Sequence, residues 1–318
     1  MERSDRPVAP ESVSRVEPPI LVLAGPTGVG KTEVALHLAE QLGTDILSAD
    51  SRQAYRGLDI GTAKPTQAEQ ARVRHHWIDV LGVGDPTSAG LFAHEADRHI
   101  DVCRAEGRPP FVVGGSTLYI DAVVRGLATL PEVPPSVAAE AFSETATAQG
   151  RAALFAELLA ADPDAAATLD STKTQRLGRL VGLLRATGRK PSLLWAEHAP
   201  HPRVVQLVVF TRTREELYAR INARVDAMLA RGLVDESRKL LEDGHTLNTP
   251  PLRTIGYHEP IRYLLGEISE DEMVQQLKQN TRRYAKRQLT WFRRYPHARW
   301  IDLSSPDSPK LEEWFVVQ

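Results

Sequence analysis

The amino-acid sequence predicts an α/β fold: a parallel sheet flanked by helices, interrupted by a helical insertion domain and followed by a helical C-terminal region. Three observations carry this reading. Four short, apolar, β-branched runs are separated by segments with helical spacing, the pattern of βαβ units. A glycine-rich turn joins the first of these runs directly to the first helix. Between Pro131 and Pro202 the chain becomes Ala-rich and helical with no convincing strand, so the sheet is split in sequence by an insertion.

The elements follow in order. Ile20–Ala24 is a buried strand, and Thr32–Leu42 is a helix with apolar positions at Val34, Leu36, Leu38, Ala39 and Leu42, stopped by Gly43. Asp45–Ser48 is the second strand, Phe111–Val113 the third, ended by Gly114 and Gly115, and Val204–Phe210 the fourth. The insertion opens with a PEVPP turn, and Leu154, Phe155, Leu158 and Leu159 mark packed helices in it. After Phe210 the pattern is helical to about Tyr295. The expected division is a core of residues 19–130 and 203–318, an insertion at 131–202, and a disordered N-terminal extension at 1–18.

Composition sets outer bounds. The chain has 318 residues, 42% hydrophobic and 25% charged, ordinary for a globular protein. No stretch approaches the roughly 20 apolar residues that a membrane span needs. Cys103 is the only cysteine, which excludes an intramolecular disulfide and a cysteine-built zinc site. The polar, Pro-rich N-terminus lacks the apolar core of a secretory leader, so a cytoplasmic location is expected.

The strongest motif is Gly25-Pro26-Thr27-Gly28-Val29-Gly30-Lys31-Thr32, which fits G-x-x-x-x-G-K-[ST] between a strand and a helix. The fold is therefore expected to be of the P-loop type. Glycines let backbone amides approach an anion, the helix N-terminus adds partial positive charge, Lys31 reaches phosphate oxygens and Thr32 can hold Mg²⁺. The motif implies phosphate or pyrophosphate binding, with ATP among the possible ligands, but not nucleotide hydrolysis. The second apolar strand with a terminal Asp that an NTPase uses to support Mg²⁺ is missing. Asp50, after the second strand, is instead a candidate general base near whatever the loop holds. His75 and His76 are adjacent on an extended segment, point apart and lack a third ligand, so they do not read as a metal site.

Charge is unevenly placed. The net charge is -2, yet residues 273–300 hold eight of the 39 Lys and Arg and none of the 41 Asp and Glu. Arg282 with Lys286, and Arg283 with Arg287, recur at i, i+4 and form a stripe on a helix. Tyr284, Trp291, Phe292, Tyr295 and Trp300 interleave with them. Cations for phosphates and planes for unpaired bases point toward a nucleic-acid partner.

Five segments carry a family resemblance. Asp50–Pro65 (DSRQAYRGLDIGTAKP), Gly114–Tyr119, Gln175–Arg179, Arg253–Tyr257 and Lys286–Trp291 resemble, in order, segments of bacterial tRNA dimethylallyltransferases (tRNA isopentenyltransferases) across about residues 20 to 300. The resemblance implies transfer of a dimethylallyl group from its pyrophosphate to N6 of the adenosine 3′ of the anticodon in tRNA. The loop Gly25–Thr32 would then hold a pyrophosphate leaving group, with Mg²⁺ as cofactor, and Asp50 would take the N6 proton. Ser116, where most relatives have Thr, would act beside the adenine amine. Arg214, Arg220 and Arg224 match a family helix pattern, and Arg224 is expected on the pyrophosphate. Asp50, Ser51, Arg52, Gln53, then Gln175, Arg176 and Arg179 on the insertion, then Arg253, Gly256, Tyr257 and His258, and Arg282, Arg283, Lys286 and Arg287 are expected tRNA contacts. Larger relatives append a zinc finger, which the single cysteine does not support. The competing reading is a P-loop small-molecule or nucleotide kinase, which leaves the basic, aromatic stripe without a use. A nucleotide-switched RNA-binding module would need a sensing Asp or Gln that the sequence does not supply.

Overall fold

The structure is a computed structural model and describes residues 17–128, 130–170, 173–198, 203–305 and 313–315. The expected disorder at 1–18 lies almost wholly outside them. The chain forms two compact units, Met1–Val124 with Arg203–Gln318, and Arg125–Pro202.

In chain order the first unit begins β1 (Ile20–Ala24), α1 (Lys31–Leu42), β2 (Ile46–Ala49), α2 (Gln67–Arg72), β3 (His75–His76), α3 (Ala89–Ala105), β4 (Phe111–Gly114) and α4 (Thr117–Arg125). Among its described residues the second unit contains helices and no strand: α5 (Pro135–Glu144), α6 (Ala148–Ala161), α7 (Pro163–Ala167), α8 (Thr174–Thr187) and α9 (Pro191–Glu197). The first unit resumes with β5 (Val205–Thr211), α10 (Arg214–Ala230), α11 (Leu233–Glu242), a 3₁₀ turn at Pro250–Arg253, α12 (His258–Leu264), α13 (Glu270–Phe292) and β6 (Arg299–Asp302).

Six strands make one sheet, ordered β3-β2-β4-β1-β5-β6 and parallel throughout. A parallel strand covered on both faces must be apolar at every position, and all five residues of β1 are buried. Leu21 and Leu23 face one layer with Leu36, Phe210, Leu217 and Ile221, while Val22 and Ala24 face the other with Val112, Phe92, Ile100 and Val123. A third cluster packs the loop around Tyr55 and Leu58 against Val225, Leu233, Leu252, Tyr257, Ile261 and Leu277.

Two strands go beyond the sequence expectation. β3 is only two histidines long, and β6 buries one residue of four, Ile301. Both lie at sheet edges, where short polar strands without an apolar run are the norm. The C-terminal region is mostly helical as expected; α13 stops at Phe292, three residues short of Tyr295, so Arg293, Arg294 and Arg299 lie off the helix. No described helix is long and apolar enough to cross a membrane.

The second unit is held by Leu154, Leu158, Ala165, Ala166, Leu177, Leu180 and Val181. Arg185 on α8 forks onto Glu144 of α5 (2.6 Å) and Glu157 of α6 (2.7 Å), tying three helices by charge-assisted bonds.

Where β2 and β4 meet, Gly114 lies so close to its neighbour that an added Cβ would sit 2.2 Å from the Ala49 carbonyl oxygen. That oxygen is backbone and cannot rotate away. Gly114→Ala is expected to destabilise the unit by about 3 kcal/mol, the upper range for overpacking, measured by denaturant unfolding. A loss below about 1 kcal/mol would show that the strands can part.

Candidate active site

In open parallel sheets, ligands settle outside the carboxyl ends of the strands, where strand order reverses. Four strand ends meet at one such crevice: β1 runs into Gly25, β2 into Asp50, β4 into Gly115 and Ser116, and β5 into Arg212. They border a cavity of about 950 Å³ lined entirely from the first unit, with Thr281, Tyr284, Arg287 and Gln288 of α13 also on its wall.

The turn from β1 to α1 forms an anion nest. Gly28 and Gly30 adopt φ +80° and +107°, a region open to glycine, and at Gly28 an added Cβ would lie 2.9 Å from Ile221. The peptide carbonyls are turned outward and clamped from behind. Arg220 Nε donates to Gly28 O (3.0 Å) and Arg212 Nε to Val29 O (2.8 Å). Lys31 Nζ donates to Gly25 O (2.9 Å) and Pro26 O (3.0 Å). Thr27, Gly28, Gly30, Lys31 and Thr32 line the cavity. Gly25, Pro26 and Val29 do not: Val29 is wholly buried in the core, and Pro26 has no N–H to offer, so both shape the loop instead of meeting a ligand.

Positive charge is crowded at this end. Burial and the nearby Arg224 guanidinium lower the Lys31 pKa to about 7, against an opposing pull from Asp50. Burial also lowers Arg224 from the ordinary guanidinium range, again opposed by Asp50. Both shifts mark cations short of counter-charge. Arg224, Arg220 and Arg212 all border the cavity. Arg214, the third member of the helix pattern, lies instead over the Tyr218 ring at 5.2 Å.

The other side is built from β2 and β4. Asp50 Oδ1 accepts from Arg52 N (2.9 Å) and Gln53 N (3.4 Å), capping its own turn and leaving Oδ2 without a hydrogen-bond partner among the described residues. Ser116 Oγ accepts from Ser51 N (2.9 Å), so its hydroxyl pins the turn that presents Asp50. Ser51, Arg52 and Gln53 line the cavity, and Gln53 also donates its amide to Thr62 O (3.4 Å) and Ala63 O (3.3 Å) and accepts from Ser48 Oγ (3.1 Å). Burial, then Asp50, pushes the Tyr284 phenol up to about 12, so it stays a neutral donor over the cavity.

The residues expected to meet tRNA separate into two groups. Arg253, Arg283, Lys286 and Arg287 are exposed on the first unit. Gln175, Arg176 and Arg179 are exposed on one face of α8 in the second. Arg282 is half-buried, donating to Asn222 Oδ1 at 2.6 Å, and His258 is half-buried at the start of α12. Tyr257 is buried and its hydroxyl donates to Glu236 Oε1 (2.7 Å), bracing the 59–61 loop, while the buried Gly256 lines the cavity. Among the interleaved aromatics, Phe292 and Tyr295 are core residues, and the Tyr295 hydroxyl donates to Asp121 Oδ1 at 2.7 Å. Only Tyr284, Trp291 and Trp300 keep exposed surface for stacking.

Sequence reasoning missed the residues that hold the nest from behind. Arg212 and Gln288 carry no separate signal, and Arg220 is marked only as a member of the helix pattern, since an arginine after a strand or on a helix reads as surface charge. For Mg²⁺ the available donors are the Thr32 hydroxyl and the Asp50 carboxylate. No cluster of three His, Cys, Asp or Glu able to hold a metal occurs among the described residues. That sparse oxygen set fits Mg²⁺, which keeps waters and takes substrate phosphates as ligands.

Comparison with known proteins agrees with this geometry. A family model described as IPP transferase matches residues 53–295. A tRNA dimethylallyltransferase of Salinibacter ruber is 50% identical over 284 residues, covering 89% of this chain and 87% of that protein. One from Chloroherpeton thalassium is 43% identical over 312 residues, covering 95% of each. The crystal structure of a full-length tRNA isopentenylpyrophosphate transferase from Bacillus halodurans superposes with a TM-score of 0.67 at 36% identity, covering 91% of both chains. An anion nest facing a strand-end carboxylate, on a sheet shared with these proteins and across nearly the whole sequence, places this chain in the tRNA dimethylallyltransferase (IPP transferase) family.

Proposed function

We propose that this protein transfers a dimethylallyl group from dimethylallyl pyrophosphate to N6 of the adenosine 3′ of the anticodon in tRNA. The observation that carries the reading is one cavity bordered by a clamped glycine-rich loop, four cations and the Asp50 carboxylate. The N6 lone pair forms a bond to C1 of the allyl group as the C1–O bond breaks, and pyrophosphate departs with the electron pair. The N6 proton passes to the Asp50 carboxylate. An exocyclic adenine amine is a weak nucleophile, so a positioned acceptor matters. The nest amides, Lys31 and Arg224 meet the charge that grows on the leaving oxygens. Thr32 would hold Mg²⁺, whose charge would further offset that of the pyrophosphate. Ser116 acts through the Asp50 turn. Arg253, Arg283, Lys286 and Arg287, and on the second unit Gln175, Arg176 and Arg179, present cations and amides to the anticodon stem-loop, whose target base must leave its stack to enter the cavity.

The direct test is incubation with labelled dimethylallyl pyrophosphate and unmodified tRNA, followed by nucleoside analysis. Label recovered as N6-dimethylallyladenosine supports the proposal. ATP-dependent phosphorylation of a small molecule without tRNA would replace it with the kinase reading.

Three outcomes follow from the site. Asp50→Asn keeps the turn-capping oxygen but removes the base, so turnover should fall roughly 10²–10⁴-fold with tRNA affinity little changed; full turnover would remove Asp50 from the chemistry. In the free protein Lys31 is half-deprotonated near pH 7. A bound pyrophosphate favours its charged form, so its pKa rises in the complex and binding takes up a proton. Affinity for dimethylallyl pyrophosphate should therefore fall as pH rises from 7 to 9, with buffer-dependent binding heats in calorimetry, and Lys31→Gln should flatten that slope. A pH-independent affinity in the unaltered protein would contradict the placement of Lys31. Finally, tRNA affinity should fall steeply with salt as phosphate counter-ions are released; a flat log–log plot would exclude the exposed cations as contacts.

A further inference from the structure

We propose that Gln288 is a positioning residue that sets the spacing between the leaving-group nest and the base. This rests on the function proposed above. Gln288 is 2% exposed, on the inner face of α13 beside Ala285 and Phe292. Its Oε1 accepts from Thr27 N (2.9 Å) in the nest, and its Nε2 donates to Gly115 O (2.7 Å) at the end of β4. One side-chain amide thus satisfies a donor on one strand-end loop and an acceptor on the next.

The contact continues to the base. Ser116 follows Gly115, its N–H donates to Ala49 O (3.1 Å), and its hydroxyl accepts from Ser51 N (2.9 Å), next to Asp50. Nest, Gln288, Gly115, Ser116 and the Asp50 turn therefore form one continuous hydrogen-bonded path across the cavity floor. An added Cβ at Gly115 would lie 2.5 Å from Gln288 Nε2, so a glycine there is what lets the amide reach. The Thr27 amide is committed to Gln288 and the Val29 amide to Pro26 O (3.4 Å), which leaves those of Gly28, Gly30, Lys31 and Thr32 for the pyrophosphate. Without the bridge, two backbone polar groups lose their partner and the two loops move independently. A shift of about 1 Å between reacting groups can cost 10²-fold in rate.

Two variants test this in the full-length protein. Gln288→Leu removes both bonds at similar volume. Gln288→Glu keeps an acceptor for Thr27 N but turns a carboxylate oxygen toward Gly115 O. A buried carboxylate facing a carbonyl is driven to protonate, and the neutral acid both donates and accepts, as the amide does. With a wild-type protein that transfers the allyl group, Gln288→Leu should raise KM for dimethylallyl pyrophosphate at least tenfold and lower kcat, with tRNA Kd within twofold. Gln288→Glu should be defective at pH 8 and approach wild-type at pH 6, each compared with wild-type at the same pH. Unchanged KM and kcat in both variants would overturn the proposal. So would a parallel loss of tRNA affinity and thermal stability without an allyl-specific effect, which would make Gln288 a structural residue only. A wild-type protein without transfer activity would overturn the functional reading itself, and the assignment of Gln288 with it.

Discussion

The rest of the structure depends on a concentration of positive charge that the protein's own carboxylates offset only in part, Glu216 pairing with Arg212. Lys31, Arg212, Arg220 and Arg224 border one end of a half-enclosed cavity, and Asp50 is the carboxylate that opposes Lys31 and Arg224. Like charges held together away from water repel strongly, since a unit pair at 4 Å interacts by about 4 kcal/mol at an effective dielectric near 20. A fold tolerates that arrangement when the geometry is fixed by other contacts and an anion completes it. Here backbone carbonyls of the nest accept from three of the four cations, which fixes the loop, while the Thr27 and Val29 amides are tied to Gln288 and to Pro26 O. The cations thus act twice, as electrostatic partners for a diphosphate and as clamps on the loop that binds it.

The second substrate's side relies on a different device. Glu236 of α11 accepts from the backbone amides of Ile60 (2.9 Å) and Gly61 (3.1 Å), and from the Tyr257 hydroxyl. Lys64, almost fully buried, is held between Asp59 and Asp79 and donates to Tyr55 O at 2.8 Å. An added Cβ at Gly61 would fall 2.6 Å from the Tyr257 ring. Burial, with Glu236 next to it, raises the Tyr257 phenol far above its usual range, which keeps it a donor at any working pH. Charged groups inside a loop stabilise it only when each has its partners. The loop after Asp50 meets that condition, and it can present Ser51 and Arg52 without collapsing onto the nest.

What the sequence made legible follows from the range of each interaction. The nest, β1, α1 and the strand-end position of Asp50 are local, set by periodicity and glycine spacing within about thirty residues. They emerge where expected, with α1 beginning one residue earlier, at Lys31. The long-range contacts were not legible. Gln288 lies 261 positions from Thr27 and 173 from Gly115, and no one-dimensional pattern encodes that approach. Tyr257 misled for the same reason: beside Arg253 and His258 it reads as a surface aromatic, yet its partner is Glu236, 21 positions upstream. Edge strands β3 and β6 escaped because two half-buried residues, or four with one buried side chain, show no period.

α13 shows how charge and burial share one sequence segment. Its inner positions, Leu277, Ala285, Gln288 and Phe292, are buried, while Arg283, Lys286 and Arg287 point outward, and Tyr284 and Arg287 border the cavity. With 3.6 residues per turn, a cation at 287 and an amide at 288 are about 100° apart, so one helix can offer phosphate attraction on its outer side and backbone bridging on its inner side. A net charge of -2 is compatible with an RNA substrate on these terms, because cations confined to one helix act over roughly a Debye length of 8–10 Å and the acidic surplus elsewhere is screened. It follows that total charge is a poor guide to partners in a chain of this size, and that the position of cations relative to a buried polar bridge is the more informative quantity.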